Sequence, residues 1–334
     1  MEYKIFVAGV WGFGNISIME QFRDDPDVEF LKHDFKYFFQ MQKAWNLVKR
    51  KLNGHGAGLI KWLLKTKIFD DKYALSHCDY ESNDVNYVVI FNSALLQYYS
   101  REYFVRLKRK HPSIQYILYI IDPMPEGLWK EIEATLDVFE EVLTIHPYNC
   151  NRFGFKYLPY IYAKPEIKRR WENIPDTNLF FCGVAEDYRQ EVVNDIVSEC
   201  DKRNIDFEIY LKPCGNDWIE HEHVHYSEMS YEENVQRILK SKCILEIMHQ
   251  GYVGITQRYL EAIIYNKKLL TNNEEVMKLP YYDTGYIKYF SKIDEIDWEW
   301  TSKEETVDYH YQGDFEPQAW KKRLIDILDC SKEK

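Results

Sequence analysis

Strand-length apolar runs alternate with helical stretches along this chain, and they do so twice, on either side of a charged, proline-bearing interruption. Residues 3–8, 85–91, 115–121 and 139–145 read as strands of buried type, with helices at 101–110 and 126–136 between them. Strands alternating with helices imply a parallel sheet built from crossover units. Residues 163–176 carry two prolines and many charges and read as a linker. The pattern restarts with a strand at 179–182, a helix at 188–203, a strand at 207–211 and a strand–loop–helix–strand unit at 243–271. The expected architecture is α/β, two Rossmann-like domains facing a cleft, with ligands at the carboxyl ends of the strands. At 334 residues, 46% of them hydrophobic, the chain has the length and apolar material for two cores.

The last of these units holds the most chemistry. Residues 243–248 form a short apolar strand, Gly251 and Gly254 break the pattern, and Thr256 stands where a hydroxyl caps a helix. Leu260, Ile263 and Ile264 share one helical face, Asn266, Lys267 and Lys268 suit the helix C-terminus, and 269–271 resumes as a strand. A helix opening from a glycine-containing loop offers unpaired N–H groups and a positive dipole end to phosphate. Arg258 and Glu261, three apart, share a face of that helix. The arginine can pair with a phosphate and the carboxylate can accept from ribose hydroxyls; a solvated ion pair is the plain alternative.

The run Gly254-Ile255-Thr256-Gln257-Arg258-Tyr259-Leu260-Glu261-Ala262, followed by Lys267-Lys268-Leu269-Leu270-Thr271-Asn272-Asn273, resembles the donor-site signature of bacterial capsular-polysaccharide and lipopolysaccharide glycosyltransferases of the GT-B fold. Ile255 stands where that family commonly has leucine. The segment 178–183 with Arg189, the helical stretch 230–241, and 139–159 with His146 and Gly154 resemble further family segments, so the likeness covers the second half and matches the first only in outline. It implies a sugar moved from a nucleotide-activated donor to a capsule, exopolysaccharide or lipopolysaccharide acceptor, with the acceptor free or lipid-linked. On that reading Glu261 holds the ribose, and Arg258 with the N–H groups near Gly254 and Thr256 holds the diphosphate. Gly183 lies in the facing loop, Arg189 is a second cation and Lys212 a further one. No catalytic metal or cofactor is expected. The implied domains are 1–165 on the acceptor side, 166–310 for the donor, and a C-terminal segment, 311–334, returning to the first. Within it 315–328 is amphipathic, with Trp320, Leu324, Ile325 and Leu328 on one side.

The first half offers candidates of its own. Gly9, Gly12, Gly14 and Asn15 follow the first strand, and Asp34 lies where a dinucleotide-binding acid belongs, but Ser17 replaces the third glycine of that fingerprint. A glycine turn beside the substrate cleft fits the same residues, as does an ordinary strand-to-helix turn. An inverting reaction needs a base, for which Asp122, Asp34, His33 and His55 are the candidates; Asp122 and Asp34 each follow a predicted strand. Residues 35–69 hold eight Lys/Arg and no acid, interleaved with Trp45, Leu47, Ile60 and Trp62. That composition suits an anionic membrane surface, two ordinary solvated helices, or an acceptor phosphate.

Other chemistries are disfavoured. A formal net charge of −11 argues against nucleic-acid binding. Seven scattered cysteines fit neither a disulfide framework nor a zinc knuckle, and no apolar run reaches membrane-spanning length. A cytoplasmic protein, peripheral to the inner face of the plasma membrane, is the expectation. His221, His223 and His225 would share one face of a strand, but acids interrupt them and surface histidines are expected rather than a metal site. No Gly-x-Ser-x-Gly elbow or P-loop is present. A polyol-phosphate transferase of related fold, or a non-catalytic glycan-binding scaffold, would share the same cradle.

Overall fold

The structure, a computed structural model, describes residues 2–8, 15–31, 86–97, 100–121, 126–215, 217–249 and 254–332. It divides into two compact units, Met1–Pro159 with Lys321–Lys334, and Tyr160–Trp320.

The first unit holds a six-stranded parallel sheet of order β2-β1-β3-β4-β5-β6 among the described residues. Its strands are β1 (Tyr3–Ala8), β2 (Val28–Phe30), β3 (Asn86–Asn92), β4 (Gln115–Ile120), β5 (Glu141–Thr144) and β6 (Lys156–Tyr157). Val88, Val89 and Ile90, then Ile117 and Leu118, are fully buried in succession, as strands covered on both faces demand. Helices α1 (Asn15–Gln21), α2 (Arg101–Lys110), α3 (Glu126–Glu133) and α4 (Pro147–Phe153) connect them. In α2 the Ser100 hydroxyl accepts from the Tyr103 N–H at 3.2 Å, and Lys108, Arg109 and Lys110 face the negative end of the dipole. Its apolar side buries Tyr103, Phe104 and Leu107.

In the second unit β7 (Thr177–Val184), β8 (Phe207–Lys212), β9 (Val224–Tyr226), β10 (Ser241–Glu246), β11 (Lys268–Thr271) and β12 (Ile287–Tyr289) form a parallel sheet of order β12-β11-β10-β7-β8-β9. The chain winds outward from β7 through β8 to β9, then returns to β10 and continues through β11 to β12. This is a doubly wound sheet with its switch point between β7 and β10. Helices α5 (Asp187–Arg203), α6 (Tyr231–Lys240), α7 (Gln257–Ile264) and α8 (Trp298–Ser302) cover it. Side chains alternate between two cores. Leu179, Phe181, Cys243 and Leu245 pack with Val193 and Ile196 of α5; Phe180, Ile244 and Leu269 pack with Ile238, Leu260 and Ile263 of α6 and α7.

The helix α9 (Pro317–Lys332) begins in the second unit, and its residues from Lys321 onward belong with the first. Lys321 Nζ donates to the Asp25 carboxylate at 2.7 and 2.9 Å and to Asp27 at 2.7 Å, while Tyr3 donates to Asp329 at 2.6 Å. Among the described residues no helix is long and apolar enough to cross a membrane.

The paired lysines of the signature tie helix ends together. Lys267 Nζ donates to the Leu239 and Ser241 carbonyls at 2.8 and 2.7 Å, where α6 ends. Lys268, 1% exposed, donates to the Trp300 and Lys303 carbonyls at the end of α8 and lies 5.0 Å from the Trp300 ring centroid. Burial lowers the pKa of both. Replacing Lys268 by methionine keeps the apolar stem and leaves two carbonyls without their charged donor. The expected loss is about 2–4 kcal/mol, read from the urea midpoint at constant slope. An unchanged midpoint would mean the ammonium contributes nothing to the α8 end.

Candidate functional site

Strand β10 ends at Glu246, only 2% exposed, on one side of the switch point. Its two carboxylate oxygens accept separately from the hydroxyls of Thr256 and Thr271. Burial raises the Glu246 pKa against those bonds and the charge of Arg258. The Thr256 hydroxyl also accepts from the Tyr259 N–H at 3.3 Å and so caps α7, as the sequence predicts. Gly254 has φ 127°, a backbone region that side chains rarely tolerate, and its carbonyl accepts from Asn273 Nδ2 at 2.8 Å. Asn272 Oδ1 accepts from the Met248 N–H at 2.7 Å. Thr271, Asn272 and Asn273, all at the end of β11, thus hold both flanks of the segment 250–253, which lies outside the described residues.

Two arginines meet the same strand ends. Arg258, in the first turn of α7, points Nε and Nη2 at the Cys182 carbonyl in β7, with Nε at 3.2 Å. Arg189, from α5, donates Nε to the Ile247 carbonyl and Nη1 to the Val184 carbonyl, both at 3.1 Å. Burial lowers the Arg189 pKa, and the Arg258 charge adds to that lowering, so the two cations sense each other. Gly183 makes room for this packing: a Cβ there would stand 2.6 Å from the Phe181 ring and 3.4 Å from Arg189 Cδ. His249 Nε2 lies 2.8 Å from Glu186 Oε1, joining the segment after β10 to the start of α5.

Glu261 departs from expectation. Its side chain is fully buried, with Oε1 accepting from Asn234 Nδ2 of α6 at 3.0 Å and Oε2 3.6 Å from Arg258 Nη1. Oε2 makes no hydrogen bond. Burial raises its pKa to about 7, against the charge of Arg258 and the Asn234 bond. The predicted pairing with Arg258 is present, but inside the protein rather than in solvent. Its carboxylate shows no surface to a ribose in this geometry. Lys212 ends β8, on the far side of β7 from β10, and pairs with Glu228 at 2.9 Å with its side chain half exposed.

Of the first-half candidates, Gly12, Gly14, His33, Asp34, His55 and Asp122 lie outside the described residues, as does the basic segment 35–69; Asn15 opens α1. His225 lies in β9 and His223 immediately before it, and both bind Glu208 of β8, at 3.0 and 3.3 Å. Among the described residues no group of three or more His, Cys, Asp or Glu is arranged to hold a metal ion. The sequence reading missed Glu246. Its signal was available: an acid ending a predicted strand, in a unit with threonines at the helix cap and at the end of the next strand.

An α,α-trehalose-phosphate synthase (UDP-forming) from Burkholderia xenovorans, solved in complex with glucose-6-phosphate, superposes with TM-score 0.58 at 9% identity, over 98% of this chain and 100% of that one. The fold is GT-B. The glycotransferase of kitacinnamycin superposes with TM-score 0.48 at 8% identity over 99% of each chain. No protein-family model matches the sequence, and no curated protein does. On this GT-B scaffold the Glu246–Thr256–Thr271 clamp and both arginines lie at the carboxyl ends of the second sheet's strands.

The buried acid makes a pH-dependent prediction. The Glu261 pKa is higher folded than unfolded, so between about pH 4.5 and 7 the folded state binds more protons and stability falls as pH rises. Glu261→Gln removes that titration. It should match the wild type near pH 4.5 and gain on the order of 1–3 kcal/mol by pH 7.5, measured by urea unfolding across pH. A difference that does not change with pH would show the carboxyl to be ionised in the fold.

Proposed function

We propose that this protein transfers a sugar from a nucleotide-activated donor to a glycan hydroxyl, holding the donor diphosphate at the switch point of the second unit. The observation that carries the reading is the meeting of Arg189 and Arg258 at the ends of β7 and β10, beside the Thr256-capped start of α7. Two half-buried cations that repel each other are stabilised by an anion that touches both. Arg258 Nη1 and Arg189 Nη2 make no hydrogen bond among the described residues and remain to donate to it. As the bond from sugar to diphosphate breaks, negative charge grows on the departing phosphate. Donors already anchored to backbone carbonyls stabilise that charge without reorganising.

The signature residues, from Gly254 to Asn273, support a bacterial surface-glycan acceptor, in capsule, exopolysaccharide or lipopolysaccharide. A lipid-linked acceptor and a place at the inner face of the plasma membrane rest on the basic composition of residues 35–69. Glu261 keeps its ribose role in this proposal through Oε2, which makes no hydrogen bond in the fold; because the carboxylate is fully buried, that role requires donor binding to uncover it. Asp122 and Asp34, with His33 beside the latter, stay the proposed bases for an inverting reaction.

Thermal unfolding with UDP, GDP, CDP and dTDP tests the donor site. One of these should raise the Tm of the wild type, since a ligand of the folded state alone stabilises it. Arg258→Ala and Arg189→Ala should each weaken that ligand about tenfold or more, roughly 1.4 kcal/mol. Equal binding by wild type and both variants would remove the diphosphate from this position. Release of a nucleoside monophosphate instead of a diphosphate during turnover would make the protein a polyol-phosphate transferase.

A further inference from the structure

His146 follows β5 by two residues, at the carboxyl edge of the first unit's sheet and immediately before α4. It is 6% exposed, and neither ring nitrogen has a hydrogen-bond partner. The backbone there is fully occupied: the His146 N–H donates to Thr144 Oγ1 at 3.1 Å, and its carbonyl accepts from the Asn149 N–H at 2.9 Å. A residue before a helix usually lends a side-chain oxygen to the first free N–H groups, but this ring caps nothing. A buried imidazole with both nitrogens bare has lost water and gained no partner in return, which folding alone does not favour.

The chemistry of the missing partner follows from the ring's state. Burial lowers the His146 pKa to about 4, so at neutral pH the ring is uncharged, with one N–H donor and one bare acceptor. A cation would satisfy only the acceptor and an anion only the donor. A hydroxyl both donates and accepts, and a sugar ring presents several. The same sheet edge holds a second idle group. Ser93, directly after β3, is fully buried, and its Oγ has no partner. One strand, β4, separates β3 from β5, and Asn92 is level with Tyr119 and Leu143, so Ser93 stands level with Thr144 at two strand spacings, roughly 9–10 Å, with His146 two residues further along. Asn92, Thr144 and Asn149 add buried polar side chains at that edge. Ligands of parallel α/β sheets bind beyond the carboxyl ends of the strands.

We propose that His146 is a positioning residue that holds the neutral hydroxyls of a sugar ring, with Ser93 marking the same acceptor-binding edge of the first unit. The inference rests on the sugar-transfer reading and adds a binding residue to it. The ring acts as a hydrogen-bonding group and leaves proton abstraction to a carboxylate.

The test uses the full chain and a panel of methyl glycosides (glucoside, galactoside and N-acetylglucosaminide), followed by saturation-transfer NMR. At least one glycoside should bind the wild type. His146→Phe should weaken it tenfold or more, and Ser93→Ala should weaken it measurably. His146→Gln, whose amide keeps a donor and an acceptor, should lose less than threefold. Tm values show that each variant is folded, and the nucleoside-diphosphate shift should be the same in wild type and His146 variants. Equal glycoside affinity in wild type and His146→Phe overturns the proposal, as a purely structural water at the ring would predict. Failure of every glycoside to bind the wild type overturns it too. Absence of a nucleoside-diphosphate shift, with glycoside binding intact, instead refutes the donor reading and leaves the His146 result standing.

Discussion

The carboxyl end of the second unit's sheet depends on one buried carboxylate. Glu246 ends β10 almost without solvent and is shared between the hydroxyls of Thr256 and Thr271. A buried acid without such donors would lose its charge or destabilise the fold. The two threonines belong to the start of α7 and the end of β11, so satisfying Glu246 locks three elements into one arrangement. Thr256 cannot leave its cap without also abandoning the acid. Asn273 extends the clamp to the Gly254 carbonyl, in a positive-φ backbone conformation that glycine adopts readily.

From that clamp the electrostatics follow. With α7 placed, Arg258 reaches the Cys182 carbonyl in β7; with α5 placed, Arg189 reaches carbonyls on both sides of the switch point. Each guanidinium spends part of its donor set on backbone, which fixes its direction and leaves a nitrogen over. Glu261 lies within the core 3.6 Å from Arg258 Nη1, too far for a hydrogen bond, and the charge of that guanidinium works against the burial that raises the Glu261 pKa. The arrangement is less stable than a fully paired one would be. Glu261 Oε2 and the His146 ring are left without hydrogen bonds, whereas Lys267 and Lys268 each donate to two carbonyls at helix ends.

Several elements were legible in the sequence. The β1 strand and α2 helix were expected at the residues where they occur, because hydrophobic period is a local signal; the Ser100 cap of α2 was not read from the sequence. The helix expected over 126–136 stops at Glu133, and Leu136–Val138 turns more tightly; the Thr135 hydroxyl bonds back to Ile132 at the break. In the signature, spacing located the Thr256 cap and the Arg258–Glu261 pair. It did not reveal that Glu261 faces inward, since a helix face is solvated or buried according to what packs on it, here Asn234 of a helix some 27 residues earlier in the chain.

By itself the sequence determined the central strands, the helices between them and the parallel, crossover character of both sheets, because hydrophobic period, capping and glycine conformation act within a few residues; the short edge strands β2, β6, β9 and β12 carry too little pattern to be read. The sequence also placed cations and hydroxyls near a helix start. Tertiary structure alone decided which carbonyls Arg189 and Arg258 would grip, that Glu246 would be shared by two threonines, that Glu261 would be sealed from water, and that the His146 ring would be left without a partner. Those outcomes depend on dielectric surroundings and on contacts between segments far apart in the chain. No local pattern of residues encodes them; only the packed sheet and its helices bring the groups within reach or shut them away from solvent.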